Sequence, residues 1–198
     1  MSSRPAAETI CAFVALELPK ALQDAFIKEI QQLEKAIPGI QWINARRMHL
    51  TLRFLGWTTR ERVKCLDAYL AAAARACPPI EARVSGLGTF PPSVTERARV
   101  LWAGIALPPS GKTLQAACES AAIECGFPPE RRVFQAHLTL GRWKEPARLG
   151  KLPALDLGTT RLEQLTLYRR EPNKGEAAVP GVRRPVAAYQ KIATFPLG

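Results

Sequence analysis

Two identical tetrapeptides hold the only histidines of the chain. The sequence His-Leu-Thr-Leu occurs at residues 49–52 and again, unchanged, at residues 137–140. Because alternate side chains of a β-strand point to the same face, each copy would present a histidine beside a threonine, with both leucines on the opposite face. An imidazole changes charge near neutral pH, and a hydroxyl can hydrogen-bond an anionic oxygen. Each pair is therefore suited to acid–base chemistry on a charged group.

Two histidines that face one another across a phosphodiester can act as complementary acid and base. One imidazole would take a proton from an attacking water, and the other would protonate the departing alkoxide. The threonine hydroxyls would bind the non-bridging phosphate oxygens. A strained cyclic phosphate is the most tractable substrate for such a site, because water suffices as the nucleophile. The alternative is that both are strand histidines satisfied by local hydrogen bonds.

Two arginines are candidates to offset the negative charge that develops on the phosphate. Arg53 shares a face with His49 by strict alternation, which makes it a possible substrate contact. Arg142 has the wrong parity to join His137, but a bulge at Gly141 would bring it to the same face.

Other catalytic signatures are missing from the sequence. It has neither the GxxxxGK[ST] loop that cradles nucleotide phosphates nor the GxSxG elbow of serine hydrolases. Its five cysteines show no CxxC spacing and lie far in sequence from both histidines, so no zinc pattern appears. We expect no metal and no cofactor. We also expect the cysteines to be reduced, mostly buried thiols of a cytoplasmic protein.

The composition indicates a globular protein with an anionic partner. With 198 residues and 47% hydrophobic content, residues 1–198 fit a single domain, or two small lobes that share a core. The net charge of +11 favours a polyanion, nucleic acid first and an acidic membrane surface second; the alternative is that the charge serves solubility alone. The start of the chain lacks signal-peptide features, and no apolar run approaches the ~20 residues needed to cross a bilayer. We expect a soluble intracellular protein, monomeric and without membrane contact.

The order of helices and strands favours an α+β fold. Periodicity predicts helices over Pro19–Ala36, Thr58–Ala76 and Ser110–Cys125, and strands over Thr9–Leu18, Met48–Leu55, Ile80–Leu87, Arg99–Ile105, Thr160–Arg169 and Val186–Phe195. Each tetrapeptide follows a helix and a turn, which is typical of a duplicated unit. We therefore predict two lobes with largely antiparallel sheets, helices outside, and a central cleft to which each lobe contributes one His-x-Thr strand.

Two further features could contact a nucleic acid. Trp42, Trp102 and Trp143 could each stack on a base, although strand tryptophans are more often part of the core. Trp143 is the preferred candidate, since it opens a predicted basic loop at residues 143–153. The basic insert at residues 170–185 could clamp RNA phosphates or form a solvated loop.

The segments RMHLTLRFLG (47–56) and FQAHLTLGR (134–142) resemble the two-histidine (2H) phosphoesterase superfamily. In particular they are similar to the LigT-like RNA 2′,3′-cyclic phosphodiesterases, historically called 2′-5′ RNA ligases. Further similarity runs along the chain, from the opening FVALELP to the closing YQKIATFPLG. The resemblance implies a bilobal α+β fold around a central cleft. It also implies opening of a terminal RNA 2′,3′-cyclic phosphate to a 2′-phosphomonoester.

Carried over by position, the resemblance also implies roles for individual residues. His49 would be the proton donor to the leaving oxygen, and His137 the proton acceptor. The phosphate would be held by three further side chains: Thr51, Thr139 and Arg142.

The chain departs from the family pattern at two positions. Ala136 stands where members usually carry proline, and Arg170 stands where many carry serine. These changes leave other readings open. The substrate could be a small cyclic nucleotide, a 2′,5′-linked oligonucleotide (with reversible ligation) or a cyclic ADP-ribose phosphate. The protein could also be an RNA-end-binding module without turnover.

Overall fold

The computed structural model describes residues 9–92, 97–170 and 188–198. Three α-helices lie in these ranges, α1 (Lys20–Ala36), α2 (Arg60–Arg75) and α3 (Pro109–Glu124). The strands are β1 (Thr9–Glu17), β2 (Ile40–Trp42), β3 (His49–Thr59), β4 (Ile80–Phe90), β5 (Ala98–Ala106), β6 (His137–Ala147), β7 (Asp156–Leu162), β8 (Gln164–Arg170) and β9 (Tyr189–Pro196).

The strands form two antiparallel sheets. The first sheet has the order β3-β1-β8-β9, and the second has the order β2-β6-β5-β4-β7. The sheets meet where β3 contacts β6, and beside that contact the Ile43 backbone N–H donates to the Leu140 carbonyl at 2.8 Å. The predicted α+β class with antiparallel sheets is confirmed, and the two strands that carry the tetrapeptides lie next to the junction.

The helices form because their apolar residues recur every three or four positions. In α1 the buried side chains are Leu22, Phe26, Ile30 and Leu33, one stripe along a helix whose other faces are polar. Thr59 caps α2 by accepting a hydrogen bond from the Arg62 backbone N–H. α2 packs against β1, β3 and β9, and α3 packs against α2 and β3. The three predicted helices are thus present, with ends shifted by a few residues.

Several predicted strand boundaries are wrong. β4 continues to Phe90, beyond its predicted end at Leu87. β3 continues to Thr59, because Gly56 adopts a φ of 72° that lets the strand kink and resume. β6 continues to Ala147, where a loop was expected from residue 143. The predicted strand over 160–169 is two strands, since β7 pairs with β4 and β8 pairs with β1. Of the basic insert 170–185, Arg170 ends β8 and the rest lies outside the described residues.

A disulfide links two of the helices, contrary to the expectation of five reduced thiols. Cys65 on α2 bonds to Cys125, the residue that follows α3, with the two Cα atoms 5.8 Å apart. The packing of α2 against α3 brings the pair together across 60 residues of sequence, a proximity that spacing alone does not reveal. Cys11, Cys77 and Cys118 are free and buried. No helix within the described ranges is long and apolar enough to span a membrane.

Candidate active site

The two tetrapeptides open β3 and β6 with the same pattern of burial. His49 and Thr51 are partly buried on one face, while Leu50 and Leu52 are buried in the core. Residues 137–140 repeat this pattern in β6. The predicted pairing of each histidine with its threonine on one face is therefore present in both strands.

Each histidine makes the same hydrogen bond to the backbone. The Nδ1 atom of His49 lies 3.0 Å from the Arg47 carbonyl oxygen, and Nδ1 of His137 lies 2.8 Å from the Gln135 carbonyl oxygen. A carbonyl oxygen can only accept, so Nδ1 carries the proton in both rings. Nε2 is then the atom through which each imidazole can exchange a proton with a substrate.

A bulge at the last residue of each tetrapeptide decides where the two arginines point. The register skips Leu52 in the pairing of β1 with β3, and it skips Leu140 in the pairing of β5 with β6. In the second strand Gly141 is buried and Arg142 is exposed on the face of His137, as the predicted bulge requires. A Cβ atom on Gly141 would lie 2.8 Å from Ile40, so a side chain has no room there.

The bulge at Leu52 in β3 turns Arg53 to the buried face of the strand, so the prediction that Arg53 shares a face with His49 is wrong. Its side chain is only 6% exposed, and its Nε atom forms an ion pair at 2.5 Å with the Glu119 carboxylate of α3. Its Nη1 donates to the Phe54 carbonyl at 2.5 Å, and its Nη2 donates to the Pro128 carbonyl. Arg53 therefore points away from the side of the sheet where a phosphate would bind.

Trp143 is likewise buried, so the prediction that it stacks on a base is wrong. Its indole N–H donates to the Pro38 carbonyl at 3.3 Å, and its ring belongs to the core because β6 continues past the bulge. Trp102, the less favoured candidate, faces the site instead. It lies opposite Thr139 in the register, and its ring centroid is 6.3 Å from that of His137.

Phe90 completes the surroundings of His137 and was missed by the sequence reasoning. Its ring meets the imidazole edge-on, with centroids 4.9 Å apart, and it also contacts Trp102 at 5.3 Å. Gly88 makes this arrangement possible, since a Cβ atom there would lie 2.1 Å from the Trp102 ring. The sequence analysis missed Phe90 because its predicted strand ended at Leu87, whereas β4 continues to Phe90 and places Gly88 and Phe90 on one face.

His49 lies among aromatic rings of the first sheet. Phe13 stacks on the imidazole at 4.7 Å, Tyr189 meets it edge-on at 5.1 Å, and Tyr168 lies at 5.8 Å. Burial lowers the pKa of His49, the bond to the Arg47 carbonyl opposes that shift, and the charge of His137 lowers the pKa further. The two imidazoles are therefore close enough to interact electrostatically.

A polar network that the sequence analysis did not anticipate lies beside His49. Glu17 stands opposite His49 in the register, accepts a hydrogen bond from Thr166 Oγ1 at 2.5 Å and forms an ion pair with Lys191 at 2.7 Å. Burial, together with the charge of Glu17, raises the pKa of Tyr168. Glu17, Tyr168 and Lys191 line a pocket of about 320 Å³ that also includes Arg46 and Arg47. The available signal in the sequence was side-chain alternation along the predicted strand Thr9–Leu18, which gives the face on which Glu17 lies.

The described ranges 9–92, 97–170 and 188–198 contain no group of three or more metal-ligating side chains.

The fold and the site together define an α+β protein in which two antiparallel sheets each contribute a His-x-Thr strand beside their junction. Residues 19–174 match the sequence profile of the 2′-5′ RNA ligase superfamily, and the chain belongs to that superfamily.

Two relatives that are similar in sequence agree with this placement. The chain is 28% identical over 167 residues to the RNA 2′,3′-cyclic phosphodiesterase of Methanothermobacter thermautotrophicus. The aligned region covers 81% of the chain and 89% of that relative. It is 27% identical over 191 residues to the enzyme of the same name from Geobacillus stearothermophilus, covering 93% of the chain and 56% of that relative.

Solved structures show the same fold. The crystal structure of TT0787 of Thermus thermophilus superposes with a TM-score of 0.79 at 25% identity, over 95% of this chain and 98% of that one. The structure of Escherichia coli LigT complexed with 3′-AMP superposes with a TM-score of 0.75 at 24% identity, over 96% of this chain and 99% of that one.

Proposed function

We propose that the protein hydrolyses the 2′,3′-cyclic phosphate end of RNA to a 2′-phosphomonoester, with His49 and His137 as general acid and base. The observation that carries the proposal is the repeated geometry of the two histidines. Each Nδ1 is bonded to a backbone carbonyl, which leaves both Nε2 atoms available for proton transfer to or from a substrate. The activity in the names of the relatives supports the same chemistry.

The reaction needs one proton transfer at each histidine. Nε2 of His137 accepts a proton from water as the water oxygen forms a bond to phosphorus. The bond from phosphorus to the 3′ oxygen then breaks, and Nε2–H of His49 protonates that oxygen. This assignment of donor and acceptor follows the family resemblance, since the two tetrapeptides are identical.

The phosphate oxygens are held by three side chains on the two strands. The hydroxyls of Thr51 and Thr139 stand beside the two imidazoles and donate to non-bridging oxygens. Arg142 reaches the same face through the bulge at Gly141 and offsets the developing negative charge. Arg53 has no part in this scheme, because its guanidinium is committed to Glu119.

The buried position of His49 is compatible with its role as the acid. In the free protein burial lowers its pKa and favours the neutral ring. A bound phosphodiester places a negative charge beside the imidazole, which favours the protonated form. His49 therefore gains its proton as the substrate binds.

The test is hydrolysis of an oligonucleotide that ends in a 2′,3′-cyclic phosphate, with and without excess EDTA. We expect a 2′-phosphate product, unchanged rates in EDTA, and a loss of ~10²-fold or more in kcat for His49→Ala and for His137→Ala, with RNA affinity largely retained. A 3′-phosphate product would reverse the leaving group, and inhibition by EDTA would overturn the metal-free scheme. RNA binding without turnover by the wild-type protein would identify a binding module instead.

A further inference from the structure

Two large aromatic side chains are exposed on β3 beyond the His-x-Thr pair. Phe54 is 49% exposed and Trp57 is 74% exposed, whereas Leu55 and Thr58 beside them are buried. Most large apolar side chains of a folded protein are removed from water, so two exposed aromatic rings on one strand are candidates for contact with another molecule.

The register places both rings on the same face of the sheet as the catalytic pair. Residues directly opposite one another in an antiparallel pair share a face. Phe54 lies opposite Phe13, whose ring stacks on His49, and Trp57 lies opposite Cys11. Cys11 and Phe13 alternate with core residues of β1, so the face of His49 continues along β3 to Trp57.

A cation lies at the far end of this face. Arg170 of β8 stands opposite Cys11, and its side chain is exposed. Burial raises the pKa of the Cys11 thiol, and the positive charge of Arg170 opposes that shift. An exposed tryptophan and an exposed arginine on one face suit a nucleic acid strand, since bases stack on aromatic rings and phosphates pair with arginine.

The distance along the strand sets the length of ligand that this face can hold. Trp57 follows His49 by eight residues, and the strand rise of ~3.3 Å per residue, reduced by two bulges, separates them by roughly 20–25 Å. A stacked nucleic acid strand advances ~3.4 Å per nucleotide. Trp57 is therefore several nucleotides away from a phosphate bound between the histidines.

We propose that Phe54 and Trp57 form a stacking path for the unpaired nucleotides upstream of the cyclic phosphate, with Arg170 pairing a backbone phosphate beside Trp57. This inference rests on the proposed function and specifies its substrate class. The substrate is single-stranded RNA of several nucleotides, which the path favours over a mononucleotide. A base-paired end is disfavoured, because its bases are already stacked and cannot lie on the rings.

The experiment compares kcat/KM for a 2′,3′-cyclic mononucleotide and for a single-stranded RNA of about twelve nucleotides with the same cyclic end, at constant salt. The wild-type ratio should favour the longer substrate by about tenfold or more, and Trp57→Ala should lower the ratio about tenfold. Trp57→Phe should retain most of the wild-type preference in kcat/KM for the longer substrate. Tyr69→Ala is the matched control, since Tyr69 is a 45% exposed aromatic residue on α2.

A second measurement separates this inference from the proposed function. The affinity of each variant is measured by fluorescence anisotropy with a 5′-labelled RNA of the same length that ends in a 2′-phosphate. Trp57→Ala should bind about tenfold more weakly than Tyr69→Ala. Equal affinities, or a rate ratio unchanged by Trp57→Ala, would overturn the stacking path even if both substrates are hydrolysed. If neither substrate is hydrolysed, the proposed function fails and the anisotropy alone decides on the path.

Discussion

At the scale of residues, each histidine makes the same type of hydrogen bond to a backbone carbonyl, but the two differ in their neighbours. His49 lies against Phe13, Tyr168 and Tyr189, and burial in this aromatic setting lowers its pKa. His137 meets the edge of Phe90 instead. Identical tetrapeptides thus acquire different environments from the strands beside them, so the two imidazoles are not chemically equivalent.

The lowered pKa of His49 predicts proton uptake on binding of a nucleotide 2′-phosphate. The free ring is neutral at about pH 7 because its pKa lies below the ordinary value of ~6.5, and the bound phosphate raises that pKa. Affinity for the 2′-phosphate should therefore strengthen as the pH falls through neutrality, and it should level off below the pKa of His49 in the free protein. Titration calorimetry in buffers of different ionisation enthalpy measures the uptake, and His49→Gln should reduce it. Equal uptake by the wild type and His49→Gln would contradict the account.

The sequence was sufficient to predict the faces of the two histidines, the two threonines and Arg142, but not the contacts of Arg53 and Trp143. Alternation holds across both tetrapeptides, so the faces of His49 and His137 follow from counting residues. The bulge at Leu52 or Leu140 adds one residue, so the residues that immediately follow it lie on the face opposite to the one that parity predicts. Gly141 signalled the bulge in β6, whereas nothing in the residues around Arg53 did so in β3.

At the scale of elements, Arg53 and Glu119 join three parts of the chain that surround the site. Arg53 of β3 is ion-paired with Glu119 of α3 and donates to the Pro128 carbonyl in the loop before β6. Glu119 also accepts from the Glu130 backbone N–H at 2.8 Å. The pair therefore fixes the loop that leads to His137 against the strand that carries His49.

Replacing Glu119 by Gln should reduce the free energy of unfolding by about 3 kcal/mol, because the buried guanidinium of Arg53 loses its counterion. Urea denaturation measures the change. Glu163→Gln is the control, since Glu163 pairs with Arg161 where both side chains are 57% exposed, and such a pair contributes about 0–1 kcal/mol. A loss of stability no larger for Glu119→Gln than for Glu163→Gln would show that Arg53 does not depend on the ion pair.

At the scale of the whole molecule, the fold class and the order of elements followed from hydrophobic periodicity, because each helix buries one stripe and each site strand buries alternate residues. The partners of each strand did not follow. The pairing of β7 with β4 and the disulfide from Cys65 to Cys125 both join segments that are distant in sequence, and only tertiary packing brings them together. The net charge of +11 agrees with an RNA substrate and with the exposed Arg142 and Arg170.

The division of labour between the histidines is tested most directly with a phosphodiester whose leaving group is acidic enough to depart without a proton. Its kcat/KM is measured for the wild type, His49→Ala and His137→Ala, beside the values for the RNA cyclic phosphate. We predict that the activated substrate restores His49→Ala to near the wild-type rate and leaves His137→Ala impaired by ~10²-fold or more. Rescue of His137→Ala alone would exchange the two roles, and equal impairment of both variants on both substrates would contradict acid–base catalysis by this pair.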